Sequence, residues 1–370
     1  MQLGPFHIVG ADGILKNACM EITGGKITRI LPQSGPAPEH LPWAVPAFID
    51  LHIHGTGGFG PEQGTPEALW QMSVELARQG VAAFCPTLYC ARPDELAAQL
   101  RALLPALGKE TGARMLGFHL EGPFISPDKP GVMKPQDIAP ANLDDFKKIY
   151  DAAQGHIAIV TLAPEVPGIR PVIDFCLSHN IIVQAGHTNA TYAQLQEAFS
   201  WGVRRVTHWG NAMRGLHQRE PGALGAALTN PEISCEVIAD GKHIHPALLT
   251  LLKQVKPISQ ITAVTDALLP TAQTQGPFTA NGEEVVLRDG VWKRRADGVT
   301  AGSALTMAGA LLQLVRAGYT LPQAVAATST NAAKLMNIEG GSLQENAPAS
   351  FVILAPDLQL QSVVFNGQYV

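Results

Sequence analysis

The sequence predicts an α/β protein made of a (β/α)8 TIM-like barrel and a small β-sandwich. Eight apolar, β-prone runs occupy the middle of the chain, and amphipathic helical patterns separate most of them. Strands that alternate with helices form parallel βα units, and eight such units close a barrel of this type. The runs, in chain order, are AFIDLHIHG, VAAFCPT, RMLGFHLEG, IAIVTLAPE, IIVQAGHT, RVTHWGNA, ISCEVIADG and ITAVTDAL.

The predicted helices are the segments with apolar residues at helical spacing. Between the strand runs lie TPEALWQMSVELARQG, PDELAAQLRALLPAL and TYAQLQEAFSWG, and the eighth run is followed by SALTMAGALLQLVRAG. The segment before the seventh run, GALGAALTNPE, predicts only a short helix. Apolar residues that recur every three or four positions give each helix one face for packing against the barrel.

The remaining segments predict the β-sandwich. The N-terminal residues have the pattern of short strands and turns, and residues 276–298 have that of two hairpins with NG and DG turns. The C-terminal ASFVILAPDLQLQSVVFNGQYV predicts two more strands. We expect a sandwich from residues 1–45 and 343–370 joined by a hairpin insertion at 273–299, and a barrel from 46–272 with its last helices at 300–342.

Composition limits the functions that are open to the chain. With 370 residues, 46% of them apolar, it can bury a large core. The net charge of −5 and the lack of a basic run argue against nucleic acid and membrane surfaces as partners. No run approaches the roughly 18 apolar residues of a membrane helix, and the N-terminus lacks a signal-peptide pattern. Five scattered cysteines without CxxC spacing predict reduced thiols in a cytoplasmic protein.

Polar residues stand where the predicted barrel strands end, which is the edge at which barrel enzymes carry their reactive groups. His52 and His54 are separated by one residue, so a strand points both imidazoles to the same face. Other strands end near Glu121, His187, His208 and Asp266, and the seventh leads to Asp240 and His243. Imidazole and carboxylate are ligands for zinc or iron(II). One histidine alone would more often be structural, but this shared placement predicts a metal site.

Motifs across nearly the whole chain indicate a family. In order, they are PAFIDLHIHG, HLEGPFIS, AGHTNATY, THWGNAM, REPG, IADGKHIHP, VTDAL and AGSALTM. The sequence resembles N-acetylglucosamine-6-phosphate deacetylases of the amidohydrolase superfamily. The resemblance implies a (β/α)8 barrel with a small β-sandwich, a divalent metal (zinc or iron), an amino sugar phosphate as substrate and a homodimer.

The resemblance also implies roles for the residues at the strand ends. Glu121, His187 and His208 match the ligands of the family's main metal. His52 and His54 match a pair that helps to hold a second metal in some members, so one or two ions per subunit are possible. Asp266 matches the catalytic aspartate, which takes a proton from the attacking water and returns it to the leaving amine.

Substrate contacts follow from the same resemblance. Arg219, in HQREPG, matches a phosphate-binding arginine, and guanidinium geometry suits phosphate. His243 matches a histidine that contacts the phosphate or the sugar. Asn211 and Ala212 match amide and backbone contacts to the substrate. In such dimers the neighbouring subunit can supply part of the phosphate site.

Three positions depart from the family pattern. Met133 stands where the family commonly has a histidine that assists the carbonyl, and a thioether cannot donate a hydrogen bond. Lys134 or His119 could compensate for it. Trp209 and its neighbouring glycine could reshape the sugar pocket, and Ser350 replaces an aspartate at a position that we interpret as structural.

The predicted reaction is hydrolysis of N-acetylglucosamine 6-phosphate to glucosamine 6-phosphate and acetate. The departures leave open a related substrate, the N-acetylgalactosamine isomer. Another amidohydrolase with a cyclic amide or an acylated amino acid as substrate is a second alternative, which Arg219 disfavours. A non-catalytic scaffold is a third, although every predicted ligand is retained. A phosphate-binding barrel isomerase would not need the histidines.

Overall fold

The structure is a computed structural model, and its description takes in residues 1–10, 13–35, 38 and 40–370. Its strands are β1 Gln2–Gly10, β2 Gly13–Thr23, β3 Lys26–Pro32, β4 Trp43–Pro46, β5 Phe48–Ile53, β6 Val81–Leu88, β7 Arg114–Met115, β8 Phe118–Glu121, β9 Ile157–Leu162, β10 Ile182–Ala185, β11 Arg205–Val206, β12 Ser234–Ile238, β13 Ile261–Val264, β14 Phe278–Ala280, β15 Glu283–Arg288, β16 Val291–Arg294, β17 Thr300–Ser303, β18 Phe351–Leu354, β19 Leu360–Phe365 and β20 Gln368–Tyr369.

Ten α-helices accompany these strands in the described residues. They are α1 Pro66–Arg78, α2 Pro93–Leu103, α3 Leu143–Ala152, α4 Arg170–Ser178, α5 Tyr192–Trp201, α6 Gly222–Thr229, α7 Pro246–Val255, α8 Met307–Arg316, α9 Leu321–Val325 and α10 Asn331–Leu335. A π-helical turn, Ala326–Thr330, joins the last two. Among all the described residues, no helix has the length and apolar character needed to cross a membrane.

The predicted barrel is confirmed. Eight strands pair side by side in the order β5-β6-β8-β9-β10-β11-β12-β13, and β7 adds to the edge of β6. The pairings between these neighbours are parallel. Each of the eight apolar runs of the sequence supplies one of these strands. The helices between them bury apolar faces, as α1 does with Leu69, Met72 and Leu76.

The barrel closes between its first and last strands through a seam of hydrogen bonds. The backbone amide of Asp266 donates to the carbonyl of His52 at 2.9 Å. The Asp50 carboxylate accepts from the Thr265 hydroxyl at 2.6 Å and from its amide at 3.2 Å. It also accepts from the His52 amide at 3.3 Å. Because this seam joins β5 to the residues directly after β13, it fixes Asp266 beside the histidine pair.

The chain termini form one antiparallel-rich sheet beside the barrel. Its order is β20-β19-β18-β4-β1-β2-β3, so the C-terminal strands join the N-terminal ones through β4. Phe6, Met20, Phe351 and Val364 are buried together in its core. The hydroxyl of Ser350 accepts the amide of Asn366 at 3.0 Å, which is the structural role that the sequence suggested.

The predicted hairpin insertion is present as a distinct sheet. β14, β15, β16 and β17 form a separate four-stranded sheet and add no strand to the terminal sheet. β17 is hydrogen-bonded to the barrel instead, since the Ser303 amide donates to the Asp266 carbonyl at 2.9 Å. Trp292 and Val285 of the insertion pack with Leu268 and Met133. The insertion therefore covers the end of the barrel at which β13 finishes.

We predict that the seam between β5 and β13 is a major source of stability. Replacing Asp50 by Ala leaves the buried donors of Thr265 and His52 without an acceptor, which costs about 3 kcal/mol. The measurement is urea unfolding in the presence of a chelator, so that metal binding does not contribute.

The matched control is Asp151→Ala on exposed α3 surface, which we expect to change the unfolding free energy by less than about 0.5 kcal/mol. Equal shifts for the two variants would show that the seam is not needed for closure.

Candidate metal centre and active site

The predicted ligands converge at the end of the barrel that the insertion covers. Glu121 is the last residue of β8, and His52 lies near the end of β5 with His54 directly after it. His187, His208 and Asp266 each follow a barrel strand by two residues. Within the described residues, they form two groups able to hold a metal, Glu121–His187–His208 and His52–His54–Asp266. All six side chains are buried.

The backbone turns sharply at three of these residues. The φ angles are 45° at His187, 27° at His208 and 50° at Asp266. Side-chain-bearing residues seldom adopt this left-handed conformation, and residues held in it cluster at active sites. The turn after each strand directs the side chain across the mouth of the barrel, so the surrounding fold imposes a local strain that brings the ligands together.

Glu121 and two imidazoles form the first group. Glu121 Oε1 lies 3.0 Å from Nε2 of His187 and 3.0 Å from Nε2 of His208, and the two nitrogens are 3.2 Å apart. His187 Nδ1 is 3.0 Å from the carbonyl of Lys129. A carbonyl can only accept, so Nδ1 carries the proton and Nε2 presents its lone pair to the group.

The second group is built in the same way and shares Glu121 with the first. His54 Nε2 lies 3.4 Å from Asp266 Oδ1 and 3.2 Å from Glu121 Oε2. His54 Nδ1 lies 3.1 Å from the carbonyl of Thr87, so its Nε2 also carries the lone pair. His52 Nε2 is 3.6 Å from Asp266 Oδ1 and makes no hydrogen bond, although it is buried. Unpartnered imidazole nitrogens that face carboxylate oxygens fit a divalent cation.

The charges in the site keep the carboxylates ionised. Burial alone would raise the pKa of Glu121, but where the imidazoles of His52 and His187 take up protons in place of a cation, their charge holds that pKa well below its ordinary value. The pKa of Asp266 is lowered for the same reason, because His52 and His54 outweigh the effect of burial. Ionised carboxylates are what a metal requires of its ligands.

His119 has the packing role that the sequence suggested. Burial lowers its pKa to about 3, so the ring is neutral. Its Nε2 contacts the Thr161 hydroxyl at 2.8 Å, and its Nδ1 contacts the Leu51 carbonyl at 3.1 Å. Both nitrogens are therefore used. His119 does not compensate for Met133, and neither does Lys134, which lines a neighbouring cavity.

A cavity of about 220 Å³ opens onto the two groups. It is lined by His54, Tyr89, Glu121, Gly131, Val132, Met133, His187, His208, Asn211, Ala212, His243, Asp266, Val299, Thr300, Ala301 and Gly302. His243 is held by Asp240, with Nδ1 at 2.6 Å from Oδ2. A larger cavity of about 770 Å³, beside α9 and α10, has no histidine or carboxylate among the described residues of its wall.

Four of the five predicted substrate residues line the cavity that opens onto the two groups, and one does not. Met133, Asn211, Ala212 and His243 line the cavity. Arg219 does not, because it lies on an exposed loop where its amide contacts His217.

Trp209 also stays out of the cavity wall. It is fully buried, and its Nε1 donates to the Leu224 carbonyl at 3.2 Å. Its influence on a bound sugar is therefore indirect.

Two residues at the site were not predicted from the sequence. Tyr89 stacks on His54, with ring centroids 3.8 Å apart and an interplanar angle of 1°. Glu236 is fully buried and lies 2.8 Å from His52 Nδ1. Despite burial, the contact with His52 lowers the pKa of Glu236 to about 2. A carboxylate inside the apolar run ISCEVIADG was a signal for Glu236, whereas nothing in the sequence pairs Tyr89 with His54.

The barrel and its two ligand groups define a class, that of barrel hydrolases that use a divalent metal. Within that class the chain belongs to the amidohydrolase family, whose sequence model matches residues 43–370. It is a hydrolytic enzyme that acts on an amide.

Relatives with assigned activities cover nearly the whole chain. The chain is 33% identical over 367 residues to an N-acetylgalactosamine-6-phosphate deacetylase of Escherichia coli O157:H7, covering 98% of this chain and 97% of the relative. It is 32% identical over 376 residues to an N-acetylglucosamine-6-phosphate deacetylase of Bacillus subtilis (strain 168), covering 97% and 94%. The resemblance seen in the sequence is therefore confirmed.

Solved structures agree with these relatives. N-acetyl-D-glucosamine-6-phosphate deacetylase from Mycobacterium smegmatis superposes with a TM-score of 0.93 at 26% identity, and each chain is covered fully. A mutant of that enzyme in complex with N-acetyl-D-glucosamine-6-phosphate has a TM-score of 0.92 at 26% identity, covering 100% of this chain and 98% of that one.

Proposed function

We propose that the protein hydrolyses the acetamido group of N-acetylglucosamine 6-phosphate to give glucosamine 6-phosphate and acetate. The observation that carries the proposal is the convergence of Glu121, His187, His208 and Asp266 on one cavity. The glucosamine isomer is favoured because the B. subtilis relative and the M. smegmatis structures carry its name, and one of them has it bound. The galactosamine isomer, for which the E. coli relative is named, is the alternative.

We assign the cation positions from the two groups. Glu121, His187 and His208 would hold the main cation, and His52, His54 and Asp266 a second one. Zinc and iron(II) both suit this mixture of imidazole and carboxylate. The chemistry supplied by a divalent cation in such a site is Lewis-acid polarisation of a carbonyl and activation of water near neutral pH.

Asp266 is the residue that moves the proton. Its carboxylate is ionised and lines the cavity, so it can accept a proton as water attacks the acetyl carbon. It then delivers that proton to the nitrogen as the C–N bond breaks. The Asp266 amide is fixed by the barrel seam, which holds the carboxylate against His52 and His54 throughout.

The sugar phosphate would be recognised around the rim of the cavity. His243, with Asp240 behind it, offers a cationic donor, and Asn211 with Ala212 offers amide and backbone contacts. Arg219 is exposed on this chain, so we assign it to the phosphate bound by a neighbouring subunit in a homodimer. Met133 supplies only an apolar wall. A cytoplasmic location stays our expectation, in keeping with five free, buried cysteines.

Acetate release tests the proposed reaction. We expect metal-loaded protein to release acetate from N-acetylglucosamine 6-phosphate faster than from N-acetylgalactosamine 6-phosphate or unphosphorylated N-acetylglucosamine. Asp266→Asn should lower kcat by about 10²- to 10⁴-fold, since it removes the proton acceptor. The exposed Asp151→Asn is the matched control and should leave kcat unchanged.

Faster turnover of the galactosamine isomer would move the assignment to that epimer. No turnover of either phosphorylated sugar by metal-loaded protein would withdraw the deacetylase assignment.

The pH dependence of KM tests the role of His243. Burial lowers the pKa of His243, but the hydrogen bond and charge of Asp240 outweigh this and raise it above its ordinary value. The cationic form is present below that pKa and is lost as pH rises through it. Above pH about 7 the phosphate is already dianionic, so we expect KM for the phosphorylated sugar to rise roughly tenfold with further increase in pH.

Asp240→Asn removes the interactions that raise the pKa of His243, so the rise in KM should move to lower pH. Unphosphorylated N-acetylglucosamine is the control and should show no such rise. A KM profile that Asp240→Asn leaves in place would show that His243 does not contact the phosphate as a cation.

A further inference from the structure

A carboxylate below the two ligand groups touches both of them. Glu236 lies on β12, is fully buried, and points into the barrel. Its Oε1 is 2.8 Å from Nδ1 of His52, and the same oxygen accepts the backbone amide of His208 at 3.2 Å. One side chain therefore positions a histidine of each group.

The contact determines which nitrogen of His52 is free. An ionised carboxylate only accepts, so His52 Nδ1 carries the proton and donates it to Glu236. In the neutral ring, which is the form that binds a metal, the lone pair is then on Nε2, which faces Glu121 at 3.5 Å and Asp266 at 3.6 Å. This nitrogen is one of several buried side-chain atoms that have no hydrogen-bond partner among the described residues. It is presented as a ligand, and the protein itself does not use it.

Glu236 is in turn held by a chain of hydrogen bonds that has one direction. Arg205 Nε donates to Gln184 Oε1 at 2.7 Å, and Gln184 Nε2 donates to Glu236 Oε2 at 3.1 Å. Arginine can only donate, so the amide of Gln184 must turn its oxygen to Arg205 and its nitrogen to Glu236. The chain therefore ends on Glu236, which accepts from Gln184 at Oε2 and from His52 at Oε1.

We propose that Glu236 is a positioning residue that makes His52 a metal ligand and so determines whether a second divalent cation is held by His52, His54 and Asp266. The proposal rests on the metal centre of the proposed function. It commits this chain to two ions per subunit, with occupancy of the second governed by Glu236. A carboxylate behind a metal-binding histidine commonly contributes 10- to 100-fold in metal affinity.

A structural role is the competing explanation. Glu236 and Arg205 are buried charges joined through Gln184, so the pair could serve only to fill the barrel. In that case, loss of the Glu236 charge would lower the stability of the metal-free protein and leave metal stoichiometry unchanged. The two roles therefore differ in what they do to the second ion.

The experiment measures zinc per chain by elemental analysis, and the Kd of the second zinc by competition with a chromophoric chelator. We expect two ions in the wild type. In Glu236→Gln, the amide nitrogen must face either His52 Nδ1 or the amide nitrogen of Gln184, so one contact is lost. We expect this variant to keep the first ion and to bind the second 10- to 100-fold more weakly.

A charge-swapped variant keeps the test valid if Glu236→Gln folds poorly. In Gln184→Glu combined with Glu236→Gln, the new carboxylate accepts from Arg205 and from the amide at 236, whose oxygen again faces His52. We expect the second ion to be regained. The matched control is Glu110→Gln, a half-buried glutamate outside the cavity, which should hold two ions.

Three outcomes would overturn the proposal: two tightly held ions in Glu236→Gln, a folded charge swap that still holds one ion, or a single ion in the wild type. Wild-type turnover is measured on the same preparation. Turnover with one ion would overturn this inference alone, and two ions without turnover of either sugar phosphate would overturn the proposed substrate alone.

Discussion

The arrangement of the site depends on one constraint, which is that nitrogen atoms of four histidines lie close to the carboxylate of Glu121. Its two oxygens lie within 3.5 Å of the Nε2 atoms of four histidines, and all of these side chains are buried. Such a group is costly to assemble unless a cation or several protons compensate the carboxylates. Hydrogen bonds from Nδ1 to a carbonyl or to Glu236 place the proton of three of those histidines on the nitrogen that faces away from Glu121. The arrangement is therefore stable chiefly as a metal site.

The fold brings these side chains together through the way its strands end and pair. The strained turns at His187 and His208 bring ligands inward from two strands, and the seam between β5 and β13 adds Asp266 from a third. The insertion sheet is hydrogen-bonded to Asp266 and contributes residues 299–302 to the cavity wall. The site thus draws on both ends of the barrel sequence and on the segment that follows its last strand.

Much of this could be predicted from the sequence because it depends on local order. Alternating apolar runs fix the eight strands, and polar residues at their ends point to the six side chains of the two groups, since parallel strands finish at one edge. What the sequence leaves open depends on non-local pairing. The edges of the insertion sheet could pair with the termini or with the barrel, and only the contact between Ser303 and Asp266 decides.

The hydrogen-bond partners of a buried polar residue also cannot be predicted from the order of residues alone. Glu236 is tolerated in an apolar strand because Gln184 and His52 meet it from β10 and β5. The exposed position of Arg219 follows from a loop conformation that its REPG motif does not specify.

The most direct test is anomalous X-ray diffraction at the zinc edge, from crystals of the zinc-loaded protein. We expect a peak about 2.0–2.2 Å from Glu121, His187 and His208, and a second peak among His52, His54 and Asp266. Zinc found only at surface positions, with these side chains paired to one another, would contradict a metal centre in this barrel.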